Sequence, residues 1–378
     1  MTILNGTLVK LTGKPERVAD SRYAAAAMPV DLIARLHSGS GARDLCYVIA
    51  HPSSSFIPHF IVDLLAGTGA ACLALNTRYN GNDTNLLMEY AIQDIGSAVT
   101  FLREQGYRRI VLVGYSGGGS LMSFYQAEAE GRTVTDLPGG VPLDDTAPMP
   151  PADAIVLLAA HPSRAKVLTG WLDPSVTDEM DPGATDPALD MFDAGRQAPF
   201  DRDWLDQYRA AHVARNDRIT AHALDQLAAL SADPSGLATD ALMIVHRTSA
   251  DPRFVDVTID ADDRGPRPVQ GVAVSNRTHN SMGRISSLRA WLSQWSLSET
   301  RADGPSCIAR TSVPVLIYRF SADGVVFPSQ VREWAEAAGD RAESRVLEGA
   351  QHFLFGQEAL QRALVAEIDI WCRARLTS

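Results

Sequence analysis

Short, wholly apolar runs alternate along this chain with longer stretches of helical period. "LCYVIAHP" (45–52) reads as a buried strand and "FIPHFIVDLLAGTG" (56–69) as the helix after it. "ACLALNTRY" (71–79) is the next strand, and Met88, Ala91, Ile92, Ile95, Val99 and Leu102 then keep one helical face apolar as far as Gly106. "RIVLVGYS" (109–116), "SLMSFYQAEAEG" (120–131) and "DAIVLLAAHP" (153–162) repeat the order strand, helix, strand. Strands that are apolar throughout, joined by amphipathic helices, predict an α/β fold with a mostly parallel central sheet covered on both faces.

The alternation breaks after residue 162. Residues 163–311 are rich in Asp and Pro, and the pattern there is helical or irregular. The stretch 201–230 reads as helix, and Ile285, Leu288, Leu292 and Trp295 fit one helical face. An insertion this long inside an α/β pattern predicts a large, mainly helical cap or lid. Four of the six tryptophans fall in it (Trp171, Trp204, Trp291 and Trp295), and packing of the cap's own core is their expected use ahead of lining a pocket. The α/β pattern resumes with a strand at 312–323, a helix at 329–339, a strand at 343–350 and a last helix whose stripe is Leu360, Leu364, Ile368 and Trp371. The expected division is 1–162 and 312–378 for the core, with 163–311 as the cap.

Composition narrows the class. Of 378 residues 46% are apolar and 21% charged, the balance of a soluble globular protein, and no run approaches the length of a membrane span. The first twenty residues lack a basic flank followed by an apolar core, so no secretory signal and a cytoplasmic location are expected. A net charge of −11 and a pI near 5.3 argue against nucleic acid or an anionic membrane surface as partner. Cys46, Cys72, Cys307 and Cys372 are too scattered for a zinc site or a disulfide framework and read as buried thiols.

The chemistry concentrates in "VLVGYSGGGS" (111–120). It lacks the lysine of a Walker A loop, and its glycines are wrongly spaced for a dinucleotide fingerprint. What fits is G-x-S-x-G, as Gly114-Tyr115-Ser116-Gly117-Gly118, between a predicted strand and a predicted helix. A serine at such a sharp turn needs small neighbours, and the helix N-terminus behind it favours developing negative charge. A serine hydroxyl also needs a base, and the base an orienting acid. His352 lies in a loop after the last predicted strand, and Asp323, 29 residues earlier, follows the preceding one. Their plainer readings are a surface or capping histidine and an Asp-Gly turn.

Together these residues resemble the α/β-hydrolase family of serine esterases and lipases, over roughly 40–162 and 312–376. The resemblance implies that Ser116 attacks a carbonyl, His352 shuttles the proton and Asp323 holds the imidazole, with no metal or organic cofactor. Members that hydrolyse haloalkanes or epoxides carry Asp at the nucleophile position, so those reactions are disfavoured. The implied activity is hydrolysis of a carboxylic ester or lactone of a small organic molecule. Thioesterase or diketone carbon–carbon hydrolase chemistry is the alternative, and a non-catalytic ligand-binding protein the more distant one. The resemblance also implies an oxyanion hole with Gly117 N–H as one donor. The second donor normally follows a His-Gly pair, where this chain has His51-Pro52; proline has no N–H, so Ser53 is the expected donor, and His51 is expected to order the loop.

Weaker pocket candidates are Tyr115 inside the motif, His161 at the end of strand 153–162, His51, and Arg78, which with Tyr79 could touch a polar or anionic substrate group or else make a structural ion pair. Met122, Phe124 and Tyr125 read as core. A small-molecule substrate is the expected partner, and self-association is left open.

Overall fold

The computed structural model describes residues 5–18, 26–144, 146–235, 239–279 and 281–376. In chain order the strands are β1 (Thr7–Val18), β2 (Ala26–His37), β3 (Leu45–His51), β4 (Ala71–Asn76), β5 (Arg109–Tyr115), the two-residue pair β6 (Asp136–Leu137) and β7 (Val141–Pro142), and β8 (Ala154–Leu158). After them come β9 (Val176–Asp178), β10 (Asp181–Thr185), β11 (Leu242–Ile244), β12 (Ile285–Ser287), β13 (Val315–Phe320) and β14 (Ala342–Leu347). The helices are α1 (Phe60–Gly67), α2 (Met88–Glu104), α3 (Gly118–Glu130), α4 (Arg164–Trp171), α5 (Arg202–Ala232), α6 (Val269–Arg277), α7 (Leu288–Ala290), α8 (Gly304–Ile308), α9 (Pro328–Ala338) and α10 (Glu358–Leu376).

Eight strands form one sheet in the order β1-β2-β4-β3-β5-β8-β13-β14. From β4 onward every neighbour is parallel, while β1–β2 and β2–β4 are antiparallel. The apolar strands bury both faces by the two-residue alternation of the pleat. Cys46, Val48 and Ala50 of β3 share a core with α2, α3, α8 and α9. Leu45, Tyr47 and Ile49 face the other way, with α1 and α10. All four cysteines are buried and unpaired, and burial pushes the Cys46 and Cys72 thiols well up.

The sheet begins earlier than the expected first strand at 45. β1 and β2 carry exposed Leu8 and Ile33 beside buried Leu11 and Leu32. One face of this edge meets solvent, so these strands lack the continuous apolar run that marks the others. Helix α1 starts at Phe60 and not at 56, because His59 caps it by accepting the Ile61 N–H on Nδ1 at 3.3 Å.

The segment between β8 and β13 carries two small cores of its own. Leu168, Ile219, Leu227, Leu288, Trp291, Leu292 and Trp295 form one. The other holds Phe200, Leu205, Tyr208 and Phe254, joined by Phe327 from beyond β13, with Trp171 and Trp204 packed against it. Ile285 departs from the expected helical face. It sits exposed in β12, paired with Ile244, and the helical turns start at Leu288. Their last turn is wide, Ser296 N–H reaching Trp291 O at 2.9 Å. Cys307 and Ile308 of α8 bury into the core on the sheet, against α3 and α9. No helix among the described residues is long and apolar enough to cross a membrane.

The strand order reverses at β3, which lies between β4 and β5. The chain steps outward from β3 to β4 and then crosses back to β5, which opens a crevice beyond the carboxyl ends of β3 and β5. His51 ends β3 and Tyr115 ends β5.

Candidate active site

Only Ser116 and Gly117 separate β5 from α3. Ser116 has φ 54°, the left-handed region that costs a non-glycine residue on the order of 1–3 kcal/mol. The strain is held from outside. Ser116 N–H donates to Leu158 O at 3.0 Å, and its carbonyl accepts from Gly119 N at 3.1 Å and His161 N at 3.0 Å. The surrounding glycines are required by contact. A Cβ on Gly114 would lie 2.7 Å from Gly119 Cα, and one on Gly118 would lie 2.5 Å from Ala50 O. Gly119, outside the five-residue motif, would set a Cβ 2.6 Å from Ala160 Cβ and 3.3 Å from Trp334 Cζ2. It lets α3 approach the end of β8 closely.

The structure brings Ser116, His352 and Asp323 together. Ser116 Oγ lies 3.0 Å from His352 Nε2, and His352 Nδ1 lies 2.7 Å from Asp323 Oδ2. Asp323 is buried just past β13, and its Oδ1 accepts the Val325 and Val326 N–H groups at 2.7 and 3.0 Å. Those two bonds fix the carboxylate, which accepts a hydrogen bond from His352 Nδ1–H and leaves Nε2 as an acceptor for the serine hydroxyl. The Tyr115 hydroxyl donates to the His352 carbonyl, and the two rings meet edge to face at 6.1 Å. Tyr115 is therefore not a pocket residue as the sequence suggested. It is buried, and its hydroxyl is spent on the histidine loop.

Arg78 is also removed from the pocket. Its guanidinium grips buried Asp94, Nη2 to Oδ1 at 2.6 Å and Nε to Oδ1 at 3.1 Å, while its own N–H reaches Oδ2 at 2.9 Å. The structural ion pair is the arrangement found.

The loop after β3 differs from expectation in a specific way. Ser53 N–H donates to His51 Nδ1 at 3.1 Å, and Ser54 N–H donates to the same nitrogen at 3.0 Å. The Ser53 amide is thus engaged by the His51 ring, which explains why it is not free to meet a substrate oxygen. The ring lies against the elbow, since a Cβ on Gly117 would be 2.6 Å from His51 Nε2. Burial and the nearby charges of Arg164 and His352 lower the His51 pKa to about 3.

His161 lies beside the site, its ring 6.0 Å from that of His352, and its Nδ1 has no partner among the described residues. Burial, with His352, His51 and Arg164 nearby, holds its pKa well below the usual range. Arg164, which opens α4, carries no motif that marks it in the sequence. Its Nε donates to Gln294 Oε1 and its Nη2 to Asp83 Oδ2, both at 3.0 Å, and its guanidinium lies 4.2 Å over the Trp295 ring. Phe353 and Phe355, stacked at 5.5 Å and exposed, add an apolar rim next to His352. No group of three or more His, Cys, Asp or Glu side chains among the described residues is placed to hold a metal ion.

A family model described as the alpha/beta hydrolase family matches residues 36–245. No curated protein sequence matches the chain. Among solved structures, the α/β hydrolase GrgF from Penicillium sp. sh18 is 13% identical, with a TM-score of 0.53 over 98% of each chain. DcsB, solved with a substrate analogue, is 10% identical, with a TM-score of 0.54 over 99% of this chain and 100% of its own. A hypothetical protein of Pseudomonas aeruginosa is 14% identical, with a TM-score of 0.51 over 99% of this chain and 96% of its own. At these identities the likeness is one of fold.

Proposed function

The chain belongs to the α/β-hydrolase family, and on that premise we propose that it is a serine hydrolase cleaving a carboxylic ester or lactone through an acyl-enzyme on Ser116. The observation that carries this reading is the continuous chain of hydrogen bonds from Ser116 Oγ through both His352 nitrogens to Asp323. Ser116 Oγ forms a bond to the carbonyl carbon as its proton passes to His352 Nε2, and the carbonyl π pair moves onto oxygen. The Gly117 N–H, directly after the nucleophile at the start of α3, faces that developing charge. Collapse breaks the bond to the leaving oxygen, which takes the proton from His352. Water then repeats the sequence, giving its proton to His352 and releasing the acid, and Ser116 recovers its own.

Residues 163–311, apart from α8, act as the cap over this site, with Arg164 and Gln294 on its inner side and His161 at its base. The apolar rim of Phe353 and Phe355 suits an uncharged organic group on one side of the scissile carbonyl.

The test is covalent. A fluorophosphonate should label Ser116, as peptide mass mapping would read out, and Ser116→Ala should abolish both labelling and turnover of activated esters while leaving the melting temperature unchanged. An unlabelled native protein whose Ser116 is solvent-accessible would point to a ligand-binding role. A panel of activated esters, lactones, acyl-CoA thioesters and diketones then ranks the reactions, and a thioester or diketone preferred over every ester would displace the ester reading.

A further inference from the structure

We propose that His51 is itself a catalytic residue, its Nε2–H supplying the second hydrogen bond to the substrate oxyanion beside the Gly117 N–H. The proposal rests on the serine-hydrolase reading above and deepens it.

The backbone donor expected at the start of the loop after β3 is already engaged. Pro52 has no N–H, and the amides of Ser53 and Ser54 both end on His51 Nδ1 at 3.1 and 3.0 Å. Two donors converging on Nδ1 make it the lone-pair nitrogen of the ring, so a neutral imidazole carries its proton on Nε2. That nitrogen is the atom packed against Gly117, 2.6 Å from where a Cβ there would stand. Both hydrogen bonds that hold the ring use Nδ1, so the Nε2–H is left with no acceptor among the described residues. Unlike His161, His51 is only half-buried. A donor without an acceptor, next to the residue that follows the nucleophile, is what an oxyanion hole requires before substrate arrives. The crevice at the strand-order reversal explains the meeting, because it sets the end of β3 opposite the start of α3.

The ring is also pre-organised. Phe56 stacks on it at 6.2 Å and 27°. Burial and the neighbouring Arg164 and His352 keep it uncharged. The two amides on Nδ1 draw electron density from the ring and strengthen Nε2–H as a donor. The missing side chain at position 117 gains a reason too, since any Cβ would displace the imidazole.

If His51 only orders the loop, its Nδ1 acceptor is the part that matters; if it binds the oxyanion, the Nε2–H is. His51→Asn keeps an acceptor near the Nδ1 position but does not reach Gly117, whereas His51→Gln places an amide N–H near the Nε2 position. With p-nitrophenyl esters, His51→Gln should stay within about tenfold of wild type in kcat, while His51→Asn should lose on the order of 100- to 1,000-fold with little change in KM. Affinity for a trifluoromethyl ketone, which forms an oxyanion on Ser116, should fall in parallel for His51→Asn. Equal losses in the two variants, or the reverse order, overturn the proposal, and circular dichroism checks that both are folded. Should His51→Asn fail to fold, His51→Gln alone decides, a loss beyond 100-fold counting against it. Wild-type protein that a fluorophosphonate does not label removes the serine-hydrolase reading and this one with it. Labelled wild type with undiminished His51→Asn removes this one alone.

Discussion

At the scale of single residues, the tyrosine inside the serine motif acts through the backbone of another loop. Tyr115 donates to the His352 carbonyl from a buried position. Tyr115→Phe leaves that carbonyl without its partner, at a cost of about 1–3 kcal/mol to stability. It also loosens the loop that sets the His352–Ser116 distance. The expected result is a lower melting temperature together with a several-fold fall in kcat at unchanged KM. A stable variant with wild-type kcat would show that the loop is positioned by Asp323 alone. Ser116, Asp323 and His352 were legible in the sequence because motif, chain order and placement after successive strands each constrain them independently. The partner of Tyr115 was not legible, since a hydroxyl inside a motif carries no mark of the loop it will meet. Ser53 was misjudged for a related reason. Its position in the loop was read correctly, but the direction of its N–H depends on the rotamer of His51, which no pattern of residue types encodes.

At the scale of elements, three helices meet the end of β8 through missing side chains. Gly119 opens the contact of α3 with Ala160, and Gly304 in α8 lies so close to Trp334 of α9 that a Cβ would be 1.9 Å from the Trp334 Cη2 and 2.6 Å from Pro162 O. The Trp334 indole cannot swing away freely, because its Nε1–H donates to Ala160 O at 3.0 Å. Overpacking here should cost about 1–3 kcal/mol or more, with Gly304→Ala worse than Gly119→Ala. Gly67→Ala, whose Cβ meets nothing within 4 Å, should be harmless by comparison. Chemical denaturation of the three variants checks the order. If Gly119→Ala matched Gly67→Ala, close helix approach would not be the reason for that glycine. The doubly covered strands β3, β4, β5, β8 and β13 were plain in the sequence as apolar runs. The antiparallel edge was not, because β1 and β2 alternate buried with exposed positions over a half-solvated face. Ile285 was assigned to a helix because its spacing to Leu288 and Leu292 suits one, yet pairing with Ile244 draws it into β12. Long-range pairing overrides local period there.

At the scale of the molecule, the segment 163–311 was legible as an interruption holding one long helix, found as α5. Its tryptophans do pack into local cores, but the hairpin β9–β10 and the short strands β11 and β12 are too brief to leave a period in the sequence. This segment also contributes to how the whole chain responds to acid. Burial pushes five histidines toward the neutral form: His51 to about 3, His59 and His212 to about 4, His161 well below its usual value and His246 below it. The unfolded chain takes up protons on these groups near pH 6.5, while the folded chain does so only near its own depressed values. Protons therefore bind the unfolded state more strongly in between, and stability, fully present above about pH 6.5, falls as the pH drops toward 4. His212 offers the cleanest test, being buried in α5 within the segment 163–311. Asp251 and Asp173 favour its charged form and Arg253 and Arg215 oppose it, but desolvation is the largest effect. Its Nε2 has no partner among the described residues, and its ring meets Tyr208 edge to face at 4.6 Å beside a cavity of about 590 Å³. His212→Phe can keep that ring contact and has room for the changed edge. The variant should match or exceed wild type at pH 7.5. Its advantage should then grow by up to about 1.4 kcal/mol per pH unit between pH 6 and pH 4, as melting temperature against pH would record. Parallel profiles for the two proteins would mean that His212 takes up its proton as readily folded as unfolded and that the acid sensitivity arises elsewhere.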